Sequence, residues 1–495
     1  MSALATLKTR LADFDALNAA GAMMDWDMQT YMPPGGAPAR AEHSGILARM
    51  AHEVFTSDST QNALSKAAGE VAPGTVEEAL VRVVRREMDL RTKIPASFVE
   101  KKMKAAAHSQ ENWVKSRAAN DFASFQPSLT EMFDLARQEA EYLGYKHHIY
   151  NALLDQYDEG STKTDVDRLF GGLRTAGVQL IKDITNSGVK VDDSALYGEW
   201  DKAHQSAFTE NIVKAIGFDF NRGRQDTAAH PFCTNWSVGD VRLTTRYKPF
   251  IGSAIFGSLH EAGHGMYEQG SPMEWDRTPL AGGVSLGIHE SQSRFWENII
   301  GRSRGFWSKY LPELQALFPK LASVGLDDWY QMINKVEPSL IRVEADEVTY
   351  NMHIMVRFEL ECAILTGELL VKDLPEAWNA KYEEYLGITP DSDANGCMQD
   401  IHWAAGLIGY FPTYTMGNCL SYQFWNVLKQ DVANTDALIA EGNFEPILTW
   451  LQEKIYRQGK RYQPKDLVLS VTGKPMGSED YIAGIRAKYA ELYRL

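Results

Sequence analysis

Helical spacing of apolar residues recurs along much of this 495-residue sequence and limits its fold more than any other feature. Between Thr75 and Leu90, apolar residues recur at intervals that place them in one stripe along a helix. Thr75 followed by Glu78 predicts a capping box at the start of that helix. Similar spacing predicts helices over residues 95–119, 129–143, 165–185 and 374–386. We therefore predict a mainly helical protein whose apolar faces form the core.

Strand-like alternation is confined mainly to one stretch, from Val238 to Tyr247. We expect a short β-hairpin there, just before the segment with the strongest chemical motif. Patches rich in Pro and Gly, over residues 32–36 and 270–287, predict loops instead of interdomain linkers. Length alone is compatible with two to four domains of about 100–200 residues each and does not fix their number.

The charge balance excludes some classes of partner. Lys and Arg number 50 against 65 Asp and Glu, which gives a formal net charge of −15. Binding to a phosphate backbone requires a concentrated basic surface, so we expect no nucleic-acid partner. We also expect no membrane span, because no run of about eighteen apolar residues occurs. The N-terminal residues do not resemble a secretory signal, and the four cysteines show no C-x-x-C pairing, so we predict a cytoplasmic protein.

The segment His260-Glu-Ala-Gly-His264 contains the pattern H-E-x-x-H. Residues four apart lie on one face of a helix, so His260 and His264 can point at one cation. Glu261 is placed to act as general base, taking a proton from the attacking water and passing it to the leaving amine. In a chain with 12 histidines, this pattern should arise by chance only about 0.02 times. The glycines in this segment lower its intrinsic helix propensity.

A third protein ligand is needed if the fourth coordination position is to stay open. The metzincin continuation is absent, because Tyr267 and Gly270 stand where its glycine and histidine would be. Glu268 and Glu274 lie too close along the chain, whereas Glu290 follows a Gly-rich connection long enough to reverse direction. We therefore expect Glu290 as the third ligand, and a solvated acid in a first helical turn is the alternative.

Several short motifs follow one another along the chain in a characteristic order. They are His230-Pro-Phe, Asp240-Val-Arg-Leu-Thr, His260-Glu-Ala-Gly-His, His289-Glu-Ser-Gln, Ile341-Arg-Val-Glu-Ala-Asp and Gly396-Cys-Met-Gln-Asp-Ile-His-Trp. In this series the chain closely resembles the thermostable carboxypeptidase Taq family of metallocarboxypeptidases. The N-terminal segment Trp26–Gly35 also looks like the opening of that family, so the resemblance covers essentially the whole chain.

This resemblance carries expectations about fold and activity. It implies an almost all-α fold with a small β element near the site, forming one catalytic domain over residues 1–495. A deep groove similar to that of neurolysin and angiotensin-converting enzyme would divide it. The family also implies release of C-terminal residues with broad specificity, one divalent metal per chain, zinc or cobalt, and commonly a homodimer. By position, His260, His264 and Glu290 become the ligands and Glu261 the base.

A carboxypeptidase must recognise a free C-terminal carboxylate, which a guanidinium can bind through two parallel hydrogen bonds. Arg342 is the leading candidate and Arg242 the reserve. For Arg342, a structural ion pair with Glu344 or Asp346 is the alternative. The sequence supports both readings of Arg342 about equally.

Other substrate contacts are expected from residues that can donate hydrogen bonds. His402 and Tyr414 could donate beside the developing negative charge, although ordinary packing in the core explains such residues equally well. His230, before a proline, could contact substrate or could be an ordinary loop histidine. Metal-bound histidines usually give their second N–H to an acid or a carbonyl, and Asp346 and Asp400 are both possible partners.

Two rival functions use the same residues differently. An endopeptidase or a dipeptidyl carboxypeptidase could be built on the same metal centre, since H-E-x-x-H is shared by all of these enzymes. A silent peptide-binding protein is the rival from another class. Glu261 argues against that rival, because a binding protein has no need of a general base.

Overall fold

The computed structural model describes residues 2–495, which form α-helices and one small sheet. The strands are β1 Gly223–Thr227, β2 Cys233–Ser237 and β3 Asp240–Thr245. The helices are α1 Ala3–Thr30, α2 Ala37–Thr56, α3 Asp58–Ala67, α4 Val76–Lys93, α5 Ala96–Ala119, α6 Phe122–Leu143, α7 Tyr150–Asp155, α8 Lys163–Asn186, α9 Lys202–Ala215, α10 Gly252–Gln269, α11 Leu286–Arg294, α12 Arg304–Leu317, α13 Leu326–Ile333, α14 Tyr350–Thr366, α15 Leu374–Leu386, α16 Pro412–Asp431, α17 Thr435–Glu441, α18 Glu445–Lys454, α19 Pro464–Thr472 and α20 Glu479–Tyr493. The predicted helical fold with a small β element is confirmed.

The helices predicted from apolar spacing form close to the predicted positions. Helix α4 begins directly after Thr75, whose hydroxyl accepts the Glu78 N–H at 3.2 Å. The Glu78 carboxylate accepts the N–H of Gly74, so the cap forms without the reciprocal bond of a capping box. Helices α5, α8 and α15 agree with the prediction to within two residues. Helix α6 begins seven residues earlier than predicted, because Asp121 caps it and Phe122 and Phe125 are buried in its first turns.

The predicted stretch, residues 238–247, contains one strand of a hairpin, β3, and the turn before it. The other strand, β2, precedes that stretch and runs antiparallel to β3, with Cys233 opposite Leu243. Strand β1, which was also not predicted, pairs with β3 in parallel, so the sheet order is β1-β3-β2. Within β1 only Asp226 is buried. The strand therefore lacks the apolar alternation from which a half-buried strand is recognised.

Helix α16 connects the two largest apolar cores of the molecule. Its Met416 and Cys419 belong to a core built mainly from α6, α8, α14, α15 and α20. Its Leu420 and Phe424 belong to a second core built from α9, α10, α12, α13, α18 and β3. A smaller third core lies within the N-terminal helices α1 to α4. Because α16 also packs along α11, it fixes that short helix between the two main cores.

No helix within residues 2–495 is both long enough and apolar enough to cross a lipid bilayer. All four cysteines are free thiols, and three of them are buried.

Candidate metal centre

Glycines on α10 and α16 allow both helices to approach α11, the helix that carries Glu290, closely. A Cβ added to Gly263 on α10 would lie 2.5 Å from the carbonyl oxygen of Gln292 and 2.7 Å from the Cα of Ser293. A Cβ added to Gly417 on α16 would lie 2.5 Å from Cγ of Glu290. Both positions therefore require glycine for close approach, at the expense of helix propensity. The packing places Glu290 beside the motif histidines.

The three predicted metal ligands converge. The ligand atoms of His260, His264 and Glu290 all lie within 4.8 Å of one another. Oε2 of Glu290 is 3.7 Å from Nε2 of His260 and 3.5 Å from Nε2 of His264. Ligand atoms bonded at about 2.0–2.2 Å to one tetrahedral ion lie about 3.3–3.6 Å apart, which is close to these separations. Two imidazoles and a carboxylate also suit zinc and similar divalent ions, so the residues fit the metal that the motif implies.

A second acid holds His260 in the orientation that metal binding requires. Nδ1 of His260 lies 2.8 Å from Oε2 of Glu297, so its N–H donates to this carboxylate and Nε2 keeps its lone pair. Nε of Arg294 donates to Oε1 of Glu290 at 2.7 Å, and Nη1 of Arg294 is 3.4 Å from Oε2 of Glu297. Glu290, Arg294 and Glu297 follow one another at i, i+4 and i+7, along α11 and the π-helical turn Phe295–Ile300.

His264 has a different partner. Its Nδ1 lies 2.5 Å from Nδ1 of His289, and Nε2 of His289 lies 2.7 Å from Oε1 of Glu268. The Gly283 N–H also donates to Oε1 of Glu268, at 3.2 Å, and the side-chain amide of Asn235 donates to Oε2 at 3.0 Å. An imidazole therefore stands between this ligand and its acid.

The suggestion that Asp346 or Asp400 supports a ligand histidine is wrong. Asp346 accepts the N–H groups at the start of α14, and Asp400 binds two arginines. Glu297 and Glu268 take the supporting positions instead. The i, i+4, i+7 spacing of Glu290, Arg294 and Glu297 was a signal that could have identified Glu297 from the sequence. No comparable local pattern relates His264 to the pair of residues that supports it.

The buried acids of the centre differ in proton affinity. Burial raises the pKa of Glu261 to about 7, and Glu290 and Glu297 add to this effect, whereas His260 opposes it. For Glu297, burial is outweighed by Arg294 and His260, which hold the pKa at about 2. The pKa of Glu290 lies well below its ordinary range because the same two residues outweigh its burial. Glu261 is therefore the one acid of these three that can exchange a proton near neutral pH.

Arg342, the leading candidate for binding a C-terminal carboxylate, is buried and already has partners. Its Nε and Nη2 donate to Oδ1 of Asp400 at 3.1 and 2.8 Å, and its Nη1 donates to the Tyr350 hydroxyl at 2.9 Å. Arg357 on α14 donates to the other oxygen of Asp400, at 2.7 Å from Nε. Two guanidinium groups thus share one carboxylate. Arg342 forms its ion pair with Asp400 and not with an acid of its own motif.

His402 and Tyr414 lie together beside Arg342. Nε2 of His402 is 3.3 Å from the Tyr414 hydroxyl, and Cζ of Arg342 is 5.0 Å from the centre of the Tyr414 ring. Burial and the charge of Arg342 lower the pKa of His402 to about 3, so its ring is neutral. Burial raises the pKa of the Tyr414 phenol far above its ordinary value, so it keeps its proton. The group adjoins the metal centre through Tyr350, whose ring faces Arg294 at 4.5 Å.

The other substrate candidates lie at the small sheet. His230 is exposed in the loop between β1 and β2. The proline after it would be 3.9 Å from a Cβ on Gly257, one helical turn before Glu261. Arg242 on β3 lies between two indole rings, with its Cζ 5.0 Å from Trp26 and 4.8 Å from Trp236.

The fold and the site together define a mainly helical metallopeptidase of the H-E-x-x-H class. Comparison with known families gives a narrower assignment. The family model described as Carboxypeptidase Taq (M32) metallopeptidase matches residues 6–489. The chain belongs to this family and is a metal-dependent carboxypeptidase. The resemblance inferred from the sequence motifs is thereby confirmed.

Individual relatives match over nearly the whole chain. Thermostable carboxypeptidase 1 of Thermus thermophilus is 40% identical over 486 residues, covering 96% of this chain and 95% of that protein. Carboxypeptidase 1 of Bacillus subtilis is 39% identical over 479 residues, with coverage of 96% and 95%. The crystal structure of an M32 carboxypeptidase from Deinococcus radiodurans R1 superposes with a TM-score of 0.96 at 38% identity, covering 99% of both chains.

Proposed function

We propose that this carboxypeptidase removes single amino acids, with broad side-chain specificity, from the C-termini of peptides. His260, His264 and Glu290 hold one zinc or cobalt ion per chain, and Glu261 is the general base. The observation that carries the proposal is the convergence of three ligand atoms within 4.8 Å, with Glu261 buried directly after one of the ligand histidines on the same helix. A carboxylate beside the attacking water can accept a proton and return it to the leaving nitrogen.

The chain's own residues account for the proton transfers. A divalent ion held at this site would polarise the scissile carbonyl and favour deprotonation of water. Glu261 accepts a proton from the attacking water and then delivers it to the leaving nitrogen. Glu297 and Arg294 keep His260 and Glu290 in fixed orientations, so little reorganisation is needed during the reaction.

Arg342 binds the C-terminal carboxylate in this proposal. A guanidinium has five N–H donors, and Asp400 and Tyr350 use three of those of Arg342. The two remaining N–H groups have no acceptor among residues 2–495, and in this proposal they donate to the substrate carboxylate. Because Arg342 and Arg357 share the single carboxylate of Asp400, this region carries positive charge that suits a carboxylate ligand. Arg242 remains the alternative anion-binding group.

The remaining candidates bind the peptide backbone. The Tyr414 hydroxyl keeps its proton and can donate to the carbonyl oxygen as negative charge develops, while neutral His402 orients that hydroxyl. His230 contacts a more distant part of the peptide from its exposed loop. We further propose one catalytic domain over residues 1–495 with a deep groove, a cytoplasmic location, a homodimeric assembly and no nucleic-acid partner.

The test measures amino-acid release from an N-blocked dipeptide with a free C-terminus. Wild type loaded with zinc or cobalt, chelator-treated wild type and Glu261→Gln are compared, with a C-amidated copy of the peptide as control. We expect release that depends on metal and on the free carboxylate. In Glu261→Gln we expect release to fall by about 10²–10⁴-fold with metal still bound.

Two other results would contradict the proposal. Cleavage of amidated or internal bonds without release of single amino acids would make the protein an endopeptidase or a dipeptidyl carboxypeptidase. Metal binding without cleavage of any peptide would make it a silent peptide-binding protein.

A further inference from the structure

We propose that His289 positions His264 for metal binding by accepting the proton of its Nδ1, and that Glu268 holds His289 in the tautomer this requires. The proposal rests on the metal ligands proposed above. It assigns a positioning role to two residues that do not themselves reach the metal.

The separations restrict where the protons can lie. Two N–H groups cannot face each other across the 2.5 Å between Nδ1 of His264 and Nδ1 of His289, so at most one of these atoms carries a proton. Nε2 of His289 faces Oε1 of Glu268 at 2.7 Å, and this oxygen also accepts the Gly283 N–H. His289 therefore donates from Nε2, and a ring with a single proton then has its lone pair on Nδ1.

The consequence for His264 follows directly. With an acceptor at Nδ1 of His289, the proton of His264 belongs on its own Nδ1, and its Nε2 keeps a lone pair directed toward Glu290. If the proton lay on Nε2, that atom could not bind a metal ion. The order His264, His289, Glu268 is thus a chain of hydrogen bonds that run in one direction and end on a carboxylate.

Packing keeps the His289 ring in this orientation. A Cβ on Gly283 would lie 2.5 Å from Cδ2 of His289, so the ring lies against bare backbone there. The Tyr267 ring is 5.4 Å away on another side. The side-chain amide of Asn235 in turn donates to Glu268 and fixes its second oxygen. Rotation of the His289 ring about χ2 would therefore bring it against Gly283 and Tyr267.

The experiment uses three substitutions that keep different atoms of the ring. The amide oxygen of His289→Asn lies where Nδ1 was and can still accept from His264, but the contact with Glu268 is lost. The amide of His289→Gln reaches Glu268 but offers no acceptor at the Nδ1 position. His289→Phe keeps neither the acceptor for His264 nor the contact with Glu268. Zinc affinity is measured by competition with a chelating dye, and His204→Asn on an exposed helix position is the control.

We expect His289→Gln and His289→Phe to weaken zinc binding about 10–100-fold, the usual effect of losing a partner of a metal-bound histidine. His289→Asn should keep most of the affinity. If His289 served only to pair with Glu268, the Gln variant would bind better than the Asn variant. That order would overturn the proposal, even if the Phe variant failed to fold.

A spectroscopic measurement on the wild-type protein tests the same point without substrate. ¹⁵N NMR of histidine-labelled, zinc-loaded protein should show His264 protonated at Nδ1 and His289 protonated at Nε2 only, with signals assigned through the single variants. A proton on Nδ1 of His289 would overturn the proposal. Absence of carboxypeptidase activity alongside the expected tautomers and zinc affinities would contradict the proposed function and leave this inference intact.

Discussion

The metal centre and the group around Asp400 are both buried and charged, but they are built in opposite ways. At the metal centre, buried carboxylates from two neighbouring helices surround two histidines. In the Asp400 cluster, two guanidinium groups surround one carboxylate. We define this cluster by its members, Arg342, Arg357, Asp400, His402 and Tyr414. Because isolated buried charge is costly, the first arrangement suits a cation and the second an anion.

The difference also explains why one region could be predicted in detail. The metal ligands lie within a 31-residue span, from His260 to Glu290, and four-residue spacing on one helix fixes two of them. The Asp400 cluster joins residues from four separate segments between Arg342 and Tyr414. Its contacts depend on how α14 and α16 pack, and short-range spacing carries no information about that.

The largest expected effect concerns the metal centre. Glu290→Ala removes a ligand and leaves Arg294 without its carboxylate, so we expect zinc to be lost and kcat/KM to fall by at least about 10³-fold, or about 4 kcal/mol. Arg342→Lys in the Asp400 cluster should lower kcat/KM while zinc stays bound. Metal content per chain and peptide kinetics distinguish the Glu290→Ala variant from the Arg342→Lys variant. A Glu290→Ala protein that retained zinc would break the ligand assignment.

The next effect concerns stability in the Asp400 cluster. Asp400→Asn leaves two buried guanidinium groups without a counter-charge, and we expect a loss of about 3–5 kcal/mol in the free energy of unfolding. Glu383→Gln, at an exposed site in the same part of the chain, should leave the free energy of unfolding unchanged. Chemical denaturation checks both. Equal stability of the two variants would mean that Asp400 does not balance the arginines.

Across the fold as well, elements with a local sequence pattern were predicted, whereas those fixed by long-range packing were not. Helices α4 and α15 were predicted because each has one apolar face and one polar face. Helix α14 gave no such contrast, since nearly all its residues are buried on every side. Glu290 could be proposed before the structure, but His289 and Glu268 could not. Their role follows from a contact between α10 and α11 that depends on Gly263.

A third prediction compares two buried acids, Glu290 and Glu361. Arg294 and His260 lower the pKa of Glu290 against its burial. Burial raises the pKa of Glu361 to about 7, although hydrogen bonds from Tyr150, Trp403 and the Gly409 N–H oppose this effect. Folded Glu361 therefore keeps its proton between about pH 4.5 and 7, where the unfolded chain releases it.

Stability from Glu361 should be fully present below about pH 4.5 and decline as pH rises through 7, by at most about 3 kcal/mol. Glu361→Gln mimics the protonated acid and should lack this decline. Asp400 contributes nothing to the difference in this window, because its pKa is lowered and its stabilisation is lost only at more acidic pH. Denaturation of wild type and Glu361→Gln at several pH values measures the difference. Parallel pH profiles would place ionised Glu361 in the folded protein.

The smallest effect tests the packing that brings the metal ligands together. Gly263→Ala puts a methyl group into the backbone of α11 and should cost about 1–3 kcal/mol while weakening zinc binding. Gly257→Ala, on the same helix, meets nothing closer than 3.9 Å and should stabilise the protein by about 0.5–1 kcal/mol through helix propensity. Urea unfolding of the metal-free variants would reveal opposite signs for the same substitution. Shifts of the same sign would mean that helix propensity, and not close approach to α11, decides the effect at Gly263, and the proximity of Glu290 to the motif histidines would need another cause.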